Sequence, residues 1–136
     1  MFLVDTNVIS EARKGIKANP GVVQFFRSTQ AAERYLSVQT LGEVRRGIEN
    51  IRARGDHTQA VRLETWVTRV MEEYADRALA FDTDCAQVWG RLMSPYAVHP
   101  IDMQIAAIAL IHGLEVVTRN VQDFSNTGAK VLNPFR

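Results

Sequence analysis

The sequence predicts an α/β domain built on a parallel sheet, on three observations. Short apolar runs alternate with longer helical segments along the whole chain. The opening run, residues 2–4, is apolar without alternation, as in a strand covered on both faces. In "LVDTNVIS", residues 3–10, that run meets a carboxylate, Asp5, and passes at once into helical sequence. In open parallel sheets this junction, beyond the carboxyl end of a strand, is where sites form.

Each element has its own warrant. Residues 2–4 are the first strand, and "TNVISEARKG" is a helix stopping at Gly15, a residue suited to the position after a helix end. Pro20 opens a second helix, "GVVQFFRST", and "YLSV" (35–38) is the second strand. From Thr40 a helix carries Leu41, Val44, Ile48 and Ile51 on one stripe and ends near Gly55. Leu63, Trp66, Val67, Val70, Met71 and Tyr74 recur at helical spacing and make the strongest amphipathic helix in the chain. "ALAF" (78–81) is the third strand. After Asp82 a helix bears Cys85, Trp89, Leu92, Met93 and Tyr96 before Pro100. "IDMQIAAIALIHG" is a helix apolar nearly all round, hence buried or covered by a partner. "EVVT" (115–118) and "KVLNPF" (130–135) are the fourth and fifth strands. No repeat, low-complexity segment or linker interrupts the pattern, which calls for right-handed crossovers.

Composition narrows the function classes. At 136 residues the chain is expected to be one domain, residues 1–136, burying about two-thirds of its unfolded surface. Sixteen basic and fifteen acidic side chains leave a net charge of +1, so any polyanion site is local rather than a global field. The single cysteine, Cys85, excludes an intramolecular disulfide, fits a reducing cytosol and reads as a small core residue on an apolar stripe. Asp5 arrives too early for a signal peptide, and the longest apolar run, "IAAIALI", is about a third of a membrane span. A soluble, cytoplasmic domain is expected.

Four acids recur just after a strand or at a helix start: Asp5, Glu43, Asp102 and Asp123. Each also has a structural reading. Asp5 and Asp102 are placed to be N-caps. Thr40 and Glu43 have the spacing of a capping box, and Asn120 with Asp123 resembles a capping pair. Asp82 and Asp84, in "FDTD", read as caps and nothing more. Taken together the four acids point to something else. Carboxylates at the mouth of one parallel sheet converge, and two unit charges 4 Å apart repel by about 4 kcal/mol at an effective dielectric near 20. That is roughly three pKa units per close pair. Such a cluster stays ionised at neutral pH only with a cation inside it.

Oxygen-only ligands suit Mg²⁺ or Mn²⁺ rather than zinc. His57, His99 and His112 lie at none of the four positions and show no metal-ligand spacing; His99, in "HPID", reads as a structural loop histidine. A carboxylate-held cation at a sheet mouth serves phosphate chemistry, and helix N-termini add donors for phosphate. Arg119, after the fourth strand, and Arg45 and Arg46, near Glu43, are candidate phosphate contacts, with a solvated helix face as the plainer role of Arg46. Gly47, one turn beyond Glu43, either leaves room beside that acid or marks a helix–helix contact.

The segments "FLVDTNVIS", "TLGEVRRGI", "HPIDMQIAAIALIHGLEVVTRNVQDF" and "VLNPF", in that order, resemble a PIN-domain toxin ribonuclease of the VapC/FitB type. The resemblance spans the chain. It implies a PIN-like three-layer fold with a five-stranded, mostly parallel sheet flanked by helices. It also implies Mg²⁺- or Mn²⁺-dependent endoribonuclease activity and a cognate antitoxin that blocks the cleft. Asp5 and Asp102 correspond to the principal metal ligands and Glu43 to the third acid. Thr6 and Thr118 correspond to hydroxyls that orient ligands or phosphate, and Asn7 fixes the turn after the first strand. The fourth acidic role is divided between Asn120 and Asp123, with Asp123 favoured because an amide does not replace a charged ligand.

The expected reaction is in-line attack of metal-activated water on an RNA phosphodiester, giving a 5′-phosphate and a 3′-hydroxyl. Aspartyl-phosphate chemistry at Asp5 would need a second acid two residues on, where the chain has Asn7. The rival from another class is a metal-independent docking module that uses the cleft only to bind a protein. Apolar surface on the helices at 63–74 or 102–113 is expected to serve a homodimer or the antitoxin.

Overall fold

Five strands form one sheet: β1 (Phe2–Val4), β2 (Arg34–Ser37), β3 (Ala78–Leu79), β4 (Glu115–Val117) and β5 (Val131–Leu132). Their order is β3-β2-β1-β4-β5, and every neighbouring pair is parallel. Six helices cover it: α1 (Thr6–Ala12), α2 (Pro20–Ser28), α3 (Val38–Ala53), α4 (His57–Glu73), α5 (Thr83–Leu92) and α6 (Pro100–His112). The computed structural model describes residues 1–95 and 98–136, so Tyr96, placed by sequence on the fifth helical stripe, lies outside the described residues.

Successive strand residues face opposite sides of a sheet, and here both sides are dry. Leu3 and Val116 enter one core with Cys85 of α5 and Ile105, Ala106 and Ile108 of α6. Their neighbours Val4 and Val117 enter the other with Val8 of α1 and Val22 and Phe25 of α2. This explains apolar strands without alternation, and it puts the buried Cys85 in a core. The stripe on α4 divides: Leu63 and Val67 pack on Val44 and Ile48 of α3, whereas Val70 and Tyr74 continue into the core beside β2. Among the described residues no helix is long and apolar enough to cross a membrane.

Several boundaries differ from the expectation: the third strand stops at Leu79 rather than residue 81, the fourth at Val117, and the fifth helix at Leu92, and three further differences have a visible cause. Val38 begins α3 instead of ending β2, because the Ser37 side chain accepts the Thr40 amide at 3.1 Å and caps the helix there. The first helix ends at Ala12, and Gly15 instead opens a 3₁₀ turn at φ +62°. The fifth strand is only two residues long, after which the tail crosses the start of α2. Asn19 Oδ1 accepts the Gly21 and Arg136 amides at 2.9 and 3.0 Å. A Cβ on Gly21 would lie 1.9 Å from the Pro134 carbonyl oxygen, so no larger residue fits that approach.

The topology fixes where a site can be. From β1 the chain moves outward to β2 and β3, then returns through α5 and α6 to β4 on the other side of β1. Adjacent strands β1 and β4 therefore send their connections in opposite directions, which opens a crevice beyond their carboxyl ends. Asp5 and Thr118 stand on its two sides.

Candidate metal centre

Asp5 prolongs β1 by one backbone hydrogen bond, its amide donating to Val117 O at 2.9 Å. Its side chain is 2% exposed. One carboxylate oxygen accepts the Thr6 amide at 2.8 Å; the other accepts the Thr118 hydroxyl at 2.7 Å and Asn7 Nδ2 at 3.4 Å. The Thr118 oxygen also accepts from the Asn120 amide at 3.0 Å and from Asn7 Nδ2 at 3.2 Å, so its single proton is committed to Asp5. Asn7 Oδ1 accepts the Arg119 amide at 3.0 Å. Together these bonds tie the exits of β1 and β4. Burial pushes the Asp5 carboxyl up; the Thr118 and Thr6 hydrogen bonds oppose that, while Glu43 and Asp123 add to it.

Glu43 is not part of a capping box. With Ser37 as the cap of α3, Thr40 already sits within the first turn and Glu43 lies beyond it. Its Oε1 accepts the Thr6 hydroxyl at 2.6 Å, and Thr6 Oγ1 lies 3.2 Å from Thr40 Oγ1, which the Ser37 hydroxyl approaches to 3.3 Å. A line of hydroxyls thus ends on the Glu43 carboxylate. A Cβ on Gly47 would meet nothing within 4 Å, so this glycine leaves room and is not a helix–helix contact.

Asp102 is likewise not an N-cap. That position belongs to His99, Pro100 is the first helical residue, and Asp102 stands third. It faces Asp123, from the 3₁₀ turn Val121–Phe124. The Asp102 pKa is raised to about 7, by burial first, then by the charge of Asp5, hydrogen bonding and charge from Asp123, and the charge of Glu43. The Asn120–Asp123 pair caps nothing, since Asn120 makes no side-chain bond at the start of its turn. Of the two candidates for the fourth acidic position, only Asp123 turns a carboxylate toward the cluster. Asp82 does cap, accepting the Cys85 amide at 3.0 Å; Asp84 lies within the first turn of α5 instead.

His99 is the residue sequence reasoning missed. Its Nε2 lies 3.3 Å from Asp123 Oδ1. Ligand-capable atoms of His99, Asp102 and Asp123 lie within 4.8 Å of one another. The only signal in the sequence is its place three residues before Asp102; the left-handed backbone at φ 49° that aims it has no signature there.

The arginines near the acids are engaged elsewhere. Both Arg45 terminal nitrogens bind Glu64 of α4, at 2.5 and 3.1 Å, which corrects its reading as a phosphate contact. Arg119 contributes its amide to the crevice, but its guanidinium stacks on the Phe135 ring at 4.0 Å. Arg46 is on the exposed face of α3. Asp5, Glu43 and Asp102 therefore have no lysine or arginine partner among the described residues, and Asp123 has only His99. A cluster of convergent carboxylates, two of them held protonated more than usual and none neutralised by arginine, is a donor set that fits a hard divalent cation.

Comparisons with known proteins agree with this architecture. A family model described as PIN domain matches residues 2–130. The VapC ribonuclease Y4jK of Sinorhizobium fredii is 33% identical over 141 residues, covering 99% of this chain and 98% of that protein. Toxin FitB of Neisseria gonorrhoeae is 32% identical over 141 residues, covering 99% of both. The crystal structure of FitAcB from the same organism superimposes with a TM-score of 0.81 at 33% identity, covering 98% of each chain.

Proposed function

The chain belongs to the PIN-domain family, and from that premise we propose that it is the toxin of a type II toxin–antitoxin pair and a metal-dependent endoribonuclease. The observation that carries this reading is the set of four convergent carboxylates, Asp5, Glu43, Asp102 and Asp123, left without arginine or lysine at the carboxyl end of the sheet. Asp5 and Asp102 would hold Mg²⁺ or Mn²⁺, with Glu43 and Asp123 completing the acidic shell. When bound, the cation supplies positive charge for the phosphoryl oxygens and lowers the pKa of an attacking water.

The remaining work falls to the chain's own groups. Thr118 and the Thr6 amide fix both oxygens of Asp5 so that its rotamer does not change on binding. Thr6 does the same for Glu43. Asn7 joins the two strand exits and holds the Arg119 amide at the rim, where a backbone N–H can meet an RNA phosphate. Asn120 supports Thr118 through its amide rather than contributing a ligand. The near-zero net charge suits an enzyme kept by a partner better than a strong non-specific RNA binder. A cognate antitoxin blocking the cleft, a homodimer, a single domain over residues 1–136 and a cytoplasmic location complete the reading.

The test is cleavage of total RNA by antitoxin-free protein in Mn²⁺, beside a chelator control and Asp5→Asn. Discrete fragments with 5′-phosphate and 3′-hydroxyl ends are expected, lost with chelator and reduced about a thousandfold in Asp5→Asn, the size of roughly 4 kcal/mol of transition-state charge stabilisation. A 2′,3′-cyclic phosphate product would exclude water as the nucleophile. Intact RNA with no thermal response to Mn²⁺ would favour the docking module instead.

A further inference from the structure

We propose that His99 is a ligand of the cation, so that the His99–Asp102–Asp123 edge supplies one imidazole nitrogen beside the carboxylate oxygens and makes the site prefer Mn²⁺ to Mg²⁺. The proposal rests on the metal-dependent reading above and concerns which ion the centre selects. His99 Nε2 is already 3.3 Å from Asp123 Oδ1, and the three donor atoms lie within 4.8 Å of one another. Donors bound at about 2.1 Å to one octahedral ion lie roughly 3 Å apart when adjacent and about 4.2 Å when opposite. The His99–Asp123 separation is already close to that of adjacent donors, and the 4.8 Å limit on the trio exceeds the spacing of opposite donors by about 0.6 Å.

The plainer roles of this histidine do not account for its placement. It occupies the cap position of α6, yet its side chain makes no capping hydrogen bond. It is not a packing residue either, since half of its side-chain surface is exposed and its nitrogen addresses Asp123, whose own side chain is 29% exposed. His57 opens α4 and His112 closes α6, so neither competes for this role. The consequence is one of ligand softness. Mg²⁺ takes oxygen donors almost exclusively, whereas imidazole suits the first-row transition ions, and affinity for nitrogen donors rises along that series from Mn²⁺.

The experiment uses the full chain loaded with Mn²⁺ and electron spin-echo envelope modulation, with Mn²⁺ and Mg²⁺ titrated separately. His99→Asn is the first variant, because asparagine tolerates the left-handed backbone at this position; His99→Gln is the second. Nitrogen modulation is expected in the native protein and absent from both variants. Mn²⁺ affinity should fall at least about tenfold and Mg²⁺ affinity less than about threefold, narrowing the preference. Bound Mn²⁺ without nitrogen modulation in the native protein, or modulation that survives both substitutions, would overturn the proposal and leave the nuclease reading standing. No Mn²⁺ binding by the native protein would overturn both.

Discussion

Asp102 and Glu64 are both helix-borne acids of one small chain, and their surroundings drive them in opposite directions. Glu64 meets Arg45 and Arg52 across the α3–α4 pair, Arg52 Nη2 reaching it at 2.8 Å, and Arg52 also holds Glu49. Hydrogen bonds from Arg45 and then Arg52 lower its pKa to about 2. Asp102 is half-buried among Asp5, Asp123 and Glu43 and is raised to about 7. The difference is one of counterions. On the brace two glutamates meet two arginines, and the charge is spent inside the fold. At the sheet mouth no guanidinium among the described residues pairs with the acids, so the negative charge is left for something from outside.

The sharpest way to test this contrast is pH. Between about 3.8 and 7 the folded, metal-free chain keeps a proton on Asp102 that the unfolded chain has released. The folded state binds more protons there, so its stability falls as pH rises through that window, by about 2–4 kcal/mol. Glu64 has the opposite sign, stabilising above its unfolded pKa and losing that contribution only as pH falls below it, so it does not tilt the curve from pH 5 to 8. In chelator, the melting temperature should therefore drop between about pH 5 and pH 8, and Asp102→Asn should flatten the curve. A native melting temperature that climbs over this range, or an equal slope in the variant, would defeat the account.

Saturating cation is the next largest effect. At a hundredfold excess over its dissociation constant Mn²⁺ should stabilise the fold by about 2.7 kcal/mol, a shift of several degrees. Asp5→Asn should lose that gain, and a variant of the brace should keep it. Glu64→Gln is expected to lower the melting temperature by no more than about 3 °C, since the pairs it breaks are solvent-exposed. It should leave Mn²⁺ stabilisation and RNA cleavage untouched. A large loss of either would show that the brace is coupled to the site.

The smallest effect separates space from packing beside Glu43. Because a Cβ on Gly47 meets open space, Gly47→Ala should stabilise α3 by about 0.5–1 kcal/mol in denaturant titrations without reducing cleavage. Destabilisation would reveal a contact the geometry does not contain.

Much of the candidate site is readable from the sequence because its residues sit at junctions with local signatures. Asp5, Thr6 and Asn7 follow an apolar run that ends in three letters of turn and cap chemistry. Thr118, Arg119 and Asn120 follow the next central strand in the same way. The capping readings of Glu43 and Asp102 failed for one reason, that the true caps lie elsewhere, at Ser37 and at His99. Local spacing alone does not tell which of two nearby hydroxyls, or which residue before a proline, starts a helix.

The sequence by itself determined the strand–helix alternation, the two-sided burial of β1, and the arrival of four acids at equivalent junctions. These follow from periodicity and from turn chemistry, which act over a few residues. Only the tertiary structure decided which charges are spent and which are left over. Arg45 pairs with Glu64 because α3 and α4 fold back on one another. His99 faces Asp123 because a left-handed residue turns it toward a 3₁₀ turn at the far end of β4. Coulomb energy depends on distance through space, and that distance is set by packing rather than by separation along the chain.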